Sequence, residues 1–160
     1  MALVRILIDG YSLLHQWPEL AAGKPRHSEA ARNELIGVLT QYQDATGTPV
    51  TVIFDGAGTL KAKPKAVAGP AIEVLFSRAG QTADQVIERV THRLVSYGEV
   101  MVVTDDRAER DTVTGFGALA VSCANFLGML DSSFADLEND LQQHRLKQRR
   151  QFERARSEKP

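Results

Sequence analysis

Cysteine is nearly absent: Cys123 stands alone among 160 residues, so no internal disulfide can form, and a reducing cytoplasm is the compartment that suits such a chain. Long apolar runs are missing as well. No stretch approaches the roughly 18 to 20 residues a helix needs to cross a bilayer, which excludes a membrane-embedded protein of the helical kind. The N-terminal LVRILI holds a charge within it and reads as a strand, not as a secretory leader. The four histidines, His15, His27, His92 and His144, share no ligand spacing, and neither HExxH nor a Cys/His zinc pattern occurs. Zinc is therefore not expected. Neither GxxxxGKS/T nor GxGxxG is present, so no nucleotide cofactor is indicated, and no internal repeat is visible.

What is present is enough for one domain. With 43% hydrophobic and 24% charged residues, a chain of 160 can bury a proper core but is too short for two ordinary domains. We take 1–160 as a single unit, of which 131–160 is a helical extension ending in a basic tail. The net charge of −1 conceals a division along the chain. From Gln142 onward seven basic residues face two acidic ones, a balance of +5, which leaves −6 on residues 1–141. A cationic arm on an acidic body suits a polyanionic partner, although a solvated helix end has the same composition.

Apolar runs rich in Val, Ile and Leu, without alternation, recur at 3–8, 50–54, 72–76, 100–103 and 118–121. That is how strands buried on both faces read. Helical patterns lie between several of them. Ser28 is placed to cap a helix running to about Gln43, with Ala31, Leu35, Val38, Leu39 and Tyr42 on one face and Thr46-Gly47 as its stop. Thr82 is placed to cap a second, with Val86, Ile87, Val90 and Leu94 inward and Gly98 as terminator. A third starts near Arg107. After Cys123 the pattern turns helical through Phe126, Leu127, Leu130, Phe134, Leu137 and Leu141. Alternating strands and helices predict right-handed βαβ crossovers and a doubly wound parallel sheet of five strands. Residues 56–70, GAGTLKAKPKAVAGP, read as a mobile loop and a candidate lid.

Carboxylates fall where these strands end: Asp9, Asp55, Asp84 just beyond the third, and the pair Asp105 and Asp106. In a parallel sheet those ends share one edge, so residues far apart in sequence can converge on a hard divalent cation. Each has a plainer reading. Asp9-Gly10 and Asp55-Gly56 are also turn signals, and Asp84 is favoured at a helix start whatever its role. Glu88, four residues on, shares Asp84's face but fits surface decoration equally well. Of Asp105 and Asp106, one is expected at the site and the other as a helix cap. Ser122 can touch the site or cap the helix that follows, and Cys123 reads as an inert packed thiol.

The succession ILIDGYSLL, VTVIFDG, TADQVIERV, VMVVTDDRAER and AVSCANFL resembles the YacP-like group of NYN domains, within the PIN-like nuclease superfamily, over about residues 1–130. The resemblance implies a three-layer α/β/α PIN-like fold and a metal-dependent endoribonuclease using Mg2+ or Mn2+. It carries Asp9, Asp84 and Asp106 over as catalytic and metal-binding residues and Asp55 at a second-strand acidic position, while Asp55 and Asp105 are kept as further metal candidates; Glu88 falls where the family segment also tends to be acidic. Ser12 departs from the family's D-G-Y-N, keeping an oxygen but shortening its reach.

The expected activity is hydrolysis of single-stranded RNA, with messenger RNA a candidate, by a water that the metal activates. Ser12, Tyr11, Lys61, Lys63, Lys65, Arg107, Arg149 and Arg150 are the expected substrate contacts, the cations holding phosphates and Tyr11 offering a stacking face. The expected partners are RNA and, as a candidate, the ribosome. The alternative is an RNA- or ribosome-binding protein that keeps the fold with weak or lost catalysis, for which Ser12 is the suggestive feature. A response-regulator phosphoacceptor would need a lysine where Ser122-Cys123 stands. A haloacid-dehalogenase phosphatase would need DxD after the first strand.

Overall fold

The five apolar segments pair as β1 (Leu3–Asp9), β2 (Val50–Phe54), β3 (Glu73–Phe76), β4 (Glu99–Val103) and β5 (Leu119–Val121), all parallel, in the order β3-β2-β1-β4-β5. The computed structural model describes residues 3–56 and 72–157. Asp9 is paired with Ile53, and Ile8 with Val103. That register sets Asp9, Asp55 and the Thr104-Asp105-Asp106 turn level with one another at one edge.

Side chains alternate between the two faces of the sheet, and both faces are covered, so both are largely apolar. Ile6, Ile8, Val52, Phe54 and Val103 pack with Leu13 and Leu14 of α1 (Gly10–Gln16), Leu35 and Leu39 of α2 (Glu29–Thr46), and Phe126 and Leu130 of α5 (Cys123–Ser157). Leu7, Ile53, Val100 and Val102 pack with Val86 and Ile87 of α3 (Ala83–Leu94) and Val113 of α4 (Arg107–Gly115). The result is the three-layer α/β/α sandwich with a long C-terminal helix.

Local chemistry accounts for most of the element ends. Ser28 Oγ accepts from the Ala31 N–H to start α2, and Gly47, at φ 72°, ends it after Thr46, three residues beyond Gln43. A left-handed residue at that position is cheapest as glycine. Thr82 and Gln85 form a reciprocal capping box on α3. That helix closes on Val95, before Gly98, and Val38 of α2 is only half-buried. Helix α1 follows Asp9, which stands at its N-cap without a side-chain cap bond; its two turns carry too little apolar periodicity to be read from pattern. Helix α5 runs unbroken into the basic tail. Its buried positions stop at Leu130, and Leu137, Leu141, Leu146 and Phe152 are exposed, so the helix beyond Phe134 stands in solvent. The candidate lid lies, apart from Gly56, outside the described residues. Among the described residues no helix is long and apolar enough to cross a membrane.

Candidate active site at the carboxyl edge of the sheet

The strand order reverses between β1 and β4: the chain winds outward through β2 and β3 on one side and through β4 and β5 on the other. Such a switch point leaves a crevice beyond the carboxyl ends of the two central strands. Asp9 ends β1 there, and Thr104 follows β4. Asp9 Oδ2 accepts from Ser12 Oγ at 2.9 Å and from the buried Thr104 Oγ1 at 3.3 Å, and Thr104 Oγ1 in turn accepts the Asp106 N–H at 3.2 Å. The two central strand ends are thus tied through one hydroxyl. Asp106 is also the cap of α4, its Oδ1 accepting from the N–H groups of Ala108 and Glu109. The two duties expected of a pair therefore meet in this one residue. Asp105 accepts the Cys123 N–H at 2.9 Å, steadying the start of α5 together with Ser122, whose Oγ accepts from the Asn125 N–H.

Asp84 enters from the first turn of α3, half-buried. Burial raises its pKa, and the charges that raise it further belong to Asp9, Asp106, Glu88 and Asp55, in that order. Carboxylates from β1, β2, α3 and α4 therefore converge on Asp84. Asp9 is raised by burial too, held back by the Ser12 and Thr104 hydrogen bonds, with Asp106 adding repulsion. Asp55 accepts from Ser77 Oγ at 3.0 Å, and the same hydroxyl accepts the Gly56 N–H. The two Asp-Gly pairs owe their glycines to close approach. A Cβ on Gly10 would collide with the Phe54 ring, and one on Gly56 would fall 2.7 Å from the Ser77 carbonyl oxygen.

One acid of the cluster escaped the sequence. Glu109 of α4 is 4% exposed, and its Oε1 is buried without a hydrogen-bond partner among the described residues. Burial, a hydrogen bond with Glu88, and the charges of Asp84, Glu88 and Asp106 push its pKa up to about 8. Glu88 therefore faces the cluster and is more than surface decoration. In the RAERD segment a glutamate looks solvated; the available signal was that Glu109 and the buried Val113 lie four apart on one helix face.

A cation fits this chemistry. The donors are all carboxylate or hydroxyl oxygens, crowded like charges become cheaper with a positive ion among them, and an orphaned buried oxygen lacks a partner. Among the described residues no three acidic, histidine or cysteine side chains stand close enough to ligate one ion together. An ion here would sit partly on water, as magnesium commonly does.

The remaining candidates are dispersed. Tyr11 is half-buried, its ring against Phe54 and His27 with centroids 5.1 and 4.2 Å away, and its hydroxyl accepts from Arg32. Arg107 is exposed at the start of α4. Arg149 and Arg150 lie 26 and 27 residues along α5 from Cys123, some 40 Å from the cluster end at 1.5 Å per residue. Lys61, Lys63 and Lys65 fall outside the described residues. His15 and His27, which share no motif, meet with Nε2 atoms 3.3 Å apart. Burial and the neighbouring Asp105 push the Cys123 thiol far up, so it is inert.

The model of the YacP-like NYN domain matches residues 6–159, down the full length of α5 and well past the quoted motifs. The chain belongs to this family. The YacP-like NYN domain is a nuclease-type domain. Protein YacP of Bacillus subtilis (strain 168) is 35% identical over 123 residues, 76% of this chain and 72% of that protein. The crystal structure of Rae1 (YacP) from Bacillus subtilis superposes with a TM-score of 0.75 at 30% identity, covering 99% of this chain and 89% of that one. A mutant of the same protein gives 0.69 at 29% identity, over 98% and 85%.

Proposed function

We propose that this YacP-like NYN domain is a metal-dependent endoribonuclease that hydrolyses single-stranded RNA, with Mg2+ or Mn2+ as its cofactor. The observation that carries the reading is the convergence of Asp9, Asp84 and Asp106 on one crevice, with the buried Glu109 behind them. A bound divalent ion would supply an acidified water and neutralise phosphate oxygens. Asp9 and Asp84 hold charge of the right sign at the mouth, and Asp106 fixes its own carboxylate by capping α4. Ser12 and Thr104 both donate to Asp9 Oδ2, which orients the carboxylate. The departure from the family's asparagine thus puts a hydroxyl on the first aspartate instead of a longer amide. Arg107, exposed beside Asp106 at the start of α4, is a cation available to a phosphate of the strand. The tail cations at Arg149 and Arg150 are too far to act at the scissile bond and would hold a distant part of a long RNA, or of a ribosome.

The test is cleavage of end-labelled single-stranded RNA with Mn2+ or Mg2+, comparing wild type with Asp9→Asn and Asp106→Asn. Cleavage that requires the metal and is lost in both variants is expected. Cleavage unaffected by either change would overturn the reading; RNA binding without cleavage would support the alternative of a non-catalytic binder.

A further inference from the structure

Beneath α3, at the end of the sheet away from the acidic crevice, lies a groove of about 510 Å3 lined by Arg5, Glu73, Leu75, Arg89, Val90, Arg93 and Leu94. Its polar floor crosses three strands: Arg5 Nη1 donates to Thr51 Oγ1 at 2.9 Å, and that hydroxyl donates to Glu73 Oε1 at 3.0 Å. Arg89 and Arg93 stand four apart, hence on one face of α3, and both are exposed. Three guanidiniums thus face one carboxylate, which already accepts the Thr51 hydroxyl, on a body whose net charge is negative. Folding alone gives little reason to gather them, since like charges at this spacing destabilise a helix slightly.

We infer that this groove is an RNA exosite: Arg5, Arg89 and Arg93 hold phosphates of a single strand whose scissile bond lies at the acidic crevice, and Leu75, Val90 and Leu94 receive the apolar face of a base. Position along the helix supports it. Asp84 and Glu88 occupy the first half of α3 and the two arginines the second, so Arg89 and Arg93 lie about 8 and 14 Å beyond Asp84 at 1.5 Å per residue. Arg5 is four residues before Asp9 in β1, about 13 Å at strand spacing. The two arginines lie on the flank of α3 away from Asp84 and Glu88, so a strand seated in the groove rounds that helix to touch cations and crevice together. Guanidiniums suit phosphates because they present forked donors, and such contacts position the polymer without reading its sequence. The choice of RNA as ligand rests on the proposed activity, whereas the presence of an anion groove does not.

The experiment measures affinity of a fluorescent single-stranded oligoribonucleotide for the full chain with EDTA present, so that binding is read without cleavage. Arg89→Glu/Arg93→Glu should weaken binding roughly tenfold and flatten the log–log salt dependence by about 1.4, the value for two phosphates of a single strand. Arg89→Gln/Arg93→Gln should give a smaller loss of the same kind, and Lys24→Glu, on the α1–α2 side, should leave affinity unchanged. In cleavage assays the glutamate pair should raise KM and spare kcat. Affinity and salt slope equal to wild type in both arginine pairs would overturn the exosite, as would an equal loss in Lys24→Glu. If wild type binds RNA through this groove yet never cleaves it, the exosite survives and the nuclease reading fails.

Discussion

Asp106 both caps a helix and offers a charge to the crevice, and two substitutions separate these roles. Asparagine is as good a cap as aspartate, so Asp106→Asn should keep thermal stability and lose most cleavage, about a hundredfold or more for several kcal/mol of lost charge stabilisation. Alanine should lose activity and, in addition, about 1 kcal/mol of stability. Thermal melts beside cleavage rates check this, and equal melting loss in both variants would contradict it. Glu109 makes a second prediction. Its folded pKa of about 8 lies above the ordinary 4.5. Unfolded chain therefore binds fewer protons in that window, and the metal-free protein should lose stability as pH rises from about 4.5 to 8. Glu109→Gln should flatten this slope, read as melting temperature at pH 5 and pH 8 in EDTA. Asp9 and Asp84 were legible because each follows an apolar run at a strand end or opens a capped helix. Glu109 was not, because burial of one charge within a charge-rich helix depends on what α3 packs against it.

At the scale of elements, the strands were readable almost to the residue, since fully buried parallel strands have no polar alternation to confuse them. Helix α1 was not, being two turns long and fixed by packing: Leu13 and Leu14 are fully buried, and Gly10 lets the helix start against Phe54. Gly10→Ala should accordingly overpack this junction and destabilise by roughly 1 to 3 kcal/mol, while displacing Asp9 next door. Denaturant unfolding measures it; a neutral result would mean the Phe54 ring turns aside freely. The capping box of Thr82 and Gln85 fixes the first turn of α3, which carries Asp84, so Thr82→Ala should cost about 1 kcal/mol and reduce cleavage by loosening Asp84. The helical extension over 131–160 was legible from the pattern after Cys123; what stayed hidden is that its last turns are held by no core, since exposed and packed leucines read alike in a sequence.

Across the whole molecule, an acidic crevice sits at the sheet's carboxyl edge, a three-arginine groove at the other end of α3, and a cationic helix end some 40 Å from the crevice along α5. Deleting residues 142–160 should leave the melting temperature nearly unchanged, because the last buried position of α5 is Leu130, and should weaken RNA binding with a shallower salt dependence. Unchanged binding would reduce the tail to a solvated helix end. The account depends most on separate elements supplying one cation site. Calorimetric titration of Mn2+ into the metal-free protein measures that directly: saturable binding in wild type, weakened in each of Asp9→Asn, Asp84→Asn and Asp106→Asn, is the predicted result. Binding of equal strength in wild type and all three variants, or none in wild type, would contradict it.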